Sequence, residues 1–127
     1  MAVKAFTRTA MPIGEQVPTG VLVGFWDDLD AGDSGTPVPV CNMTDKAVTI
    51  ELGTAGDSTI TIQGSLEPTN PTVWHTLNDP QGNALTGIAT SRIEQILENV
   101  YFIRPLLGGT TGANWVVRLI ASTTARR

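Results

Sequence analysis

"TITIQGSLEPTNPTVWHTLNDPQGNAL", residues 59–85, decides how the rest of the chain is read. It opens as a strand of period two: Ile60 and Ile62 fall on one face, with Thr59, Thr61 and Gln63 on the other. "LEPTNP" then breaks the pattern with two prolines. "TVWHTL" (72–77) resumes an extended segment, and "NDPQGN" turns again. Upstream, "AVTIEL" (47–52) alternates in the same way, placing Val48, Ile50 and Leu52 on one face. The Gly-rich "GTAGDS" between the two alternating runs predicts a β-hairpin or a closely related pairing. None of these segments carries a nucleophile, a phosphate loop or a metal-ligand cluster.

Working outward, "TGVLVGFW" (19–26) and "WVVRLIAS" (115–122) are strands apolar on both faces, a pattern of double burial or of one face at an interface. "TPVPVCNM" (36–43) is a strand whose Pro37 and Pro39 lack ladder donors, which assigns it to a sheet edge. "DK" at 45–46 reads as a tight turn. "NVYFIRPLL" (99–107) is a further apolar strand, joined to the last one by "GGTTGAN" in a hairpin. "TSRIEQILE" (90–98) is the one helical candidate, with Ile93, Ile96 and Leu97 at helical spacing, Ser91 as cap and Glu94 three residues on. An extended segment is the competing reading there. The core is expected where Val48, Ile50, Ile60, Ile62, Trp74, Ile103, Val117 and Leu119 meet.

Seven to eight strands at about ten-residue spacing point to an all-β chain of one domain, a sandwich or a small barrel, with the single-domain β-sandwich as the expected fold. Composition agrees: 127 residues suit one domain, 41% of them are hydrophobic, and 13 glycines with 8 prolines supply the turns. The expected organisation is an extended N-terminal arm over 1–18, the sandwich over 19–122 and a polar tail over 123–127. The arm has no regular period, broken by Pro12, Gly14 and Pro18. Yet Val3, Phe6, Met11, Ile13 and Val17 are too apolar for a tail in water, so it should lie on its own domain or on a neighbour.

Charged residues are 16% of the chain, low for a free monomer, as expected where partners cover part of the surface. Net charge is −4, and four acids, Asp27, Asp28, Asp30 and Asp33, sit in one loop. Without those four, twelve acidic residues become eight, matching the eight basic ones. No basic stripe remains for nucleic acid. No apolar run is long enough for a membrane span, and Lys4, Arg8 and Glu15 interrupt any signal-peptide core. The single cysteine, Cys41, has no internal disulfide partner and reads as a buried small hydrophobe.

The candidates for chemistry are few. His75, the one histidine, lies on the strand face opposite Trp74 and so points outward, away from any triad role. One His and one Cys do not make a zinc site. The acidic loop faintly resembles a calcium loop but misses the EF-hand spacing. It reads otherwise as a solvated loop, or as one that grips a basic patch on a partner. Nothing pairs Glu51, Glu67, Glu94 or Glu98 for glycoside hydrolysis. Trp26, Trp74 and Trp115 are core residues or a sugar-stacking platform. Arg104 and Arg118, single charges in apolar strands, either snorkel to a sheet edge or pair with acids on neighbours. The expectation is a non-enzyme with no catalytic residue, no metal and no cofactor.

"ITIQGSLEPTNPTVWHTL", followed by "VYFIRPLLGGTTGANWVVRLI", resembles small structural proteins of tailed bacteriophages, the capsid decoration or cement proteins. The residues that carry the likeness are Gln63, Gly64, Ser65, Trp74, Tyr101, Ile103, Arg104, Pro105, Gly108 and Gly109, within about residues 46–122. The turn "SLEPTNPTVW" is longer and richer in proline than the "SLDGTTW"-like turn of that family. The same motif is similar to discoidin-type carbohydrate-binding sandwiches, where it belongs to the scaffold, and no site residue carries over. The resemblance implies a β-sandwich or jelly-roll fold and a virion protein on the capsid exterior, made in the host cytoplasm. It would bind the major capsid protein as a dimer or trimer and bridge subunits of the shell, with neither nucleic acid nor membrane as partner. The residues expected to dock are Val3, Phe6, Met11, Ile13, Val17, Leu22, Trp26, Asp27, Asp28 and Asp30. A carbohydrate-binding or adhesive module and a tail or connector component are the alternatives.

Overall fold

The computed structural model describes residues 2–9, 21–41, 43–54 and 56–123. It is an all-β sandwich with no helix among the described residues. Eleven strand segments form two sheets: β1 (Val3–Lys4), β2 (Phe6–Arg8), β3 (Val21–Leu29), β4 (Ser34–Gly35), β5 (Val38–Pro39), β6 (Asp45–Glu51), β7 (Ile60–Ser65), β8 (His75–Thr76), β9 (Arg92–Gln95), β10 (Phe102–Leu107) and β11 (Trp115–Ser122). Sheet A runs β1-β4-β10-β7-β8, with β5 also paired to β10. Sheet B runs β2-β3-β11-β6-β9.

Period-two alternation supplies the inner faces. From sheet B come Leu22, Trp26, Val48, Ile50, Trp115, Val117, Leu119 and Ala121; from sheet A come Val38, Ile60, Ile62, Ile103 and Leu107, all buried. Burying each large aliphatic group is worth about 1.5–3 kcal/mol before chain entropy is counted. Two indoles anchor this core with their polar tips satisfied. Trp26 Nε1 donates to the Thr36 carbonyl at 2.9 Å, and Trp115 Nε1 to the Thr54 carbonyl at 3.2 Å.

Connectivity departs from the local reading in two places. The alternating runs around Val48 and Ile60 do not form a hairpin: β6 pairs with β11 and β9, while β7 pairs with β10 and β8. The "GTAGDS" loop therefore crosses from one sheet to the other. The "GGTTGAN" loop does the same between β10 and β11, so that hairpin is also absent. Asp57 ties the two crossovers together. Its carboxylate accepts hydrogen bonds from the backbone N–H and the hydroxyl of both Thr110 and Thr111, which holds its pKa far below the usual carboxylate range.

Four local expectations change. "TSRIEQILE" is extended: β9 pairs antiparallel with β6, Ile93 opposite Thr49. Its helical spacing is overridden because the edge of β6 offers a ladder to a segment too short to gain much from helix cooperativity. "DK" is not a turn but the start of β6, opposite Ser122 and Ala121. Trp74 is outside the core, half-buried, with the Arg104 guanidinium 4.1 Å above its ring. Cys41 is exposed rather than buried.

Residues 2–9, expected in an extended arm, are built into the sandwich. β1 pairs parallel to β4 in sheet A, and β2 pairs antiparallel to β3 in sheet B. Phe6 packs edge-on against Trp26, with ring centroids 4.8 Å apart. Gly24 makes room for it, since a Cβ there would lie 2.3 Å from the Phe6 ring.

Candidate interface

The alternation that fills the core also leaves an apolar outer face on sheet B. On β3, Val21, Val23 and Phe25 point away from the core; on β11, Val116, Arg118, Ile120 and Ser122 do. Cross-strand register sets these side chains in rows. Ile120 stands opposite Val23 on one side and Ala47 on the other, and Ala47 stands opposite Gln95. The next row runs Thr7, Phe25, Arg118, Thr49 and Ile93. Ile93 is 71% exposed and Ile120 51%.

Between these rows lies an open depression of about 360 Å³, lined by Thr9, Val23, Ala47, Thr49, Ile93 and Ile120 among others. A second, of about 410 Å³, continues past Ala47 and Ile120 to Asp45, Gln95 and the exposed Leu97. Arg118, in the middle of this face, pairs with Glu51 on the neighbouring strand and stacks 5.3 Å from the Phe25 ring. An apolar depression whose neighbouring Arg118 is already paired can bury area there without stranding that charge.

The outer face of sheet A is different. Thr61 and Thr86 share a hydroxyl hydrogen bond at 2.7 Å. Arg104 donates from Nε to Gln63 Oε1 at 2.9 Å and covers one face of Trp74. Burial lowers the proton affinity of this guanidinium, which stays charged because arginine starts so high. Of the three rings considered for sugar stacking, Trp26 and Trp115 are fully buried and Trp74 is partly covered by Arg104.

The structure separates the residues expected to dock. Leu22 and Trp26 are core: alternation along β3 turns them inward and leaves Val21, Val23 and Phe25 outside. Phe6 is half-buried against Trp26 and Gly24. Val3 is 65% exposed on the edge strand β1. Met11, Ile13 and Val17 lie outside the described residues.

The acidic loop is largely an internal clasp. The buried Asp33 accepts from the Ala2 N–H at 2.8 Å and the Asp30 N–H at 2.9 Å, with Lys4 Nζ at 3.7 Å. Burial acts against its charge, but these donors outweigh that cost and hold its pKa below the usual carboxylate value. Asp28 also lies 3.7 Å from Lys4 Nζ, and Asp30 accepts from the Asn114 N–H at 3.2 Å. Asp27 and Asp28 are exposed at the end of β3. Among the described residues no group of three His, Cys, Asp or Glu side chains is gathered as a metal ion would require. His75 is exposed, as expected, although Trp74, whose place in the core was to set it outward, is itself outside the core and its neighbour Thr76 is exposed too. Val23, Ile93, Ala47 and Ile120 escaped the sequence reading, although the apolar runs on both faces of strands 19–26 and 115–122 were the available signal.

No family model matches this chain. No curated protein matches it either. Among solved structures there is a match in fold. The chain is similar to the SPBc2 prophage-derived protein YomS. The TM-score is 0.60, with 12% identity, over 85% of this chain and 100% of YomS. At that identity the likeness is one of fold, and it extends over the whole of the smaller protein.

Proposed function

We propose that this chain is a structural protein of a bacteriophage particle that binds the outside of the capsid and steadies the shell by bridging major capsid protein subunits. The observation that carries this reading is the apolar outer face of sheet B, centred on Ile120 and Ile93. Its presence on a sandwich shared with a prophage-derived protein supports the particle assignment. With residues 2–9 built into the sheets, the docking element in this reading is the sheet face rather than a free arm. Val3, Asp27 and Asp28, exposed where the N-terminal strands meet β3 and β4, extend the contact.

The mechanism is thermodynamic. A protein that binds the assembled shell and not its free subunits stabilises the shell by mass action. An interface of roughly 1,000–2,000 Å² per contact suffices when many copies act on one lattice. A dimer or trimer on the shell adds avidity, and neither nucleic acid nor membrane is required. The carbohydrate-binding alternative loses its platform, because two of its three rings are in the core.

Co-sedimentation with expanded capsids tests the proposal. Saturable binding in fixed ratio to the major capsid protein is expected, and Ile120→Asp should weaken it at least tenfold. Binding to tails alone, or the same affinity in Ile120→Asp, would sink it.

A further inference from the structure

Lys46 is a buried lysine without a carboxylate partner. It is 4% exposed, at the start of β6 and on the face that continues into Val48 and Ile50. Its Nζ donates to the Met43 carbonyl at 2.9 Å and to Asn99 Oδ1 at 3.0 Å, both neutral acceptors. None of the ion pairs among the described residues involves it. An ammonium taken out of water with no paired anion is costly, and loss of a proton relieves that cost. Burial lowers the proton affinity of Lys46, partly offset by the fields of Asp45 and Glu98.

The neighbours are held in place. The Ile96 N–H donates to the Lys46 carbonyl at 3.0 Å, and the Val40 N–H to the Tyr101 carbonyl at 2.8 Å, so the chain is tied to β6 before Asn99 and to the residue after β5 beyond it. Glu98, adjacent to Asn99, is oriented by Asn78, whose backbone N–H and side-chain amide both donate to its carboxylate. A buried amine, a carboxamide within hydrogen-bond distance and a fixed carboxylate are the groups needed for amide exchange. Holding amine and carboxamide together gives a high effective concentration.

We propose that Lys46 and Asn99 join in an intramolecular isopeptide bond. The ammonium first loses a proton by way of water to the Glu98 carboxylate, whose field reaches it. The neutral Nζ then attacks Asn99 Cγ, forming the Nζ–Cγ bond, and the Cγ–Nδ2 bond breaks. One proton from Glu98 and one from Nζ pass to the departing Nδ2, which leaves as an ammonium ion. Glu98 returns to its starting charge, and the overall change is one lysine ammonium and one carboxamide converted into a secondary amide and an ammonium ion. No oxidant, metal or second substrate is consumed. The bond would close a loop between positions 46 and 99, clamping β6 to the segment that leads into β10.

Intact-mass measurement of the purified full chain under denaturing conditions tests this. The expected result is a mass below that of the sequence by one ammonia, with a branched peptide joining the Lys46 and Asn99 fragments after proteolysis. The cross-linked chain should also run ahead of Lys46→Arg on a denaturing gel. Lys46→Arg and Asn99→Ala should each keep the full sequence mass, and Glu98→Gln should slow the mass loss at least tenfold. Wild-type protein that retains the full sequence mass after prolonged incubation in the folded state overturns the proposal. So does an ammonia loss that persists in Lys46→Arg, which would be cyclisation of an asparagine onto its own backbone. The readout needs no capsid and is independent of the proposed docking.

Discussion

The two outer faces of this sandwich are built from the same kind of strand and end in opposite states. On sheet A, the polar outward residues of β7 and β10 are paired, beside Phe102 and Leu106: Arg104 bonds to Gln63 and stacks on Trp74, and Thr61 bonds to Thr86. On sheet B, outward Val21, Val23, Phe25, Ala47, Ile93, Val116 and Ile120 stand among Thr49, Gln95 and the Arg118–Glu51 pair, and they leave an open apolar depression. A polar face whose groups are already paired gains little from a partner, because docking would exchange one set of hydrogen bonds for another. An apolar face gains about 25 cal/mol for each Å² it buries. The difference lies in what each face still has to gain.

The largest test of this contrast separates rings that share a residue type. Trp115→Ala should destabilise the fold by about 3–5 kcal/mol, since the indole is fully buried between the sheets. Trp74→Ala, on the outer face of sheet A, should cost only about 1–2 kcal/mol by losing partial burial and the Arg104 stack. Chemical denaturation reads both. Equal losses would mean that the outer face of sheet A belongs to the core.

Gly24→Ala probes the seam where β2 joins sheet B. The added methyl must displace the Phe6 ring, so a loss of about 1–3 kcal/mol is expected, again by denaturation. An unchanged midpoint would show that Phe6 can leave without consequence and that β2 contributes little to sheet B.

The clasp on the sheet A side should respond to acid. Asp33 has a folded pKa below its unfolded value of 3.8. Its contribution is therefore complete above that value and disappears as pH falls through the lower folded pKa. Asp33→Ala should cost about 2 kcal/mol at neutral pH by leaving two backbone N–H groups without their acceptor. The gap between wild type and variant should narrow below about pH 4. A gap that stayed constant down to pH 2 would contradict the assignment.

The smallest expected effect on stability sharpens the comparison most. Ile120→Asp should change stability by no more than about 1 kcal/mol, because the side chain is half exposed. Its matched control, Thr61→Asp on sheet A, should be similarly mild. In capsid co-sedimentation the two should part, with only Ile120→Asp losing binding.

The sequence alone carried the fold class, because alternation is a local property: Ile60 and Ile62, Val48 and Ile50, and Trp115 through Ala121 announce their inner faces without reference to any partner. It also carried the edge character of the strand with Pro37 and Pro39, which among the described residues pairs with β10 alone, whereas His75 is exposed without the buried Trp74 that was to set it outward. Which sheet a strand joins was not legible, since pairing partners lie far apart along the chain. The run around Val48 and the run around Ile60 looked like neighbours and belong to different layers. Segment 90–98 was ambiguous between helix and strand because its few apolar residues fit either period, and only the free edge of β6 decided it. Trp74 and Cys41 were assigned to the interior by residue type, but hydrophobicity states a preference and the tertiary structure determines whether room exists. The candidate interface follows the same division. Two strands apolar on both faces were evident in the sequence, whereas the rows that gather Val23, Ile120, Ala47 and Ile93 into one surface exist only once long-range register has set them side by side.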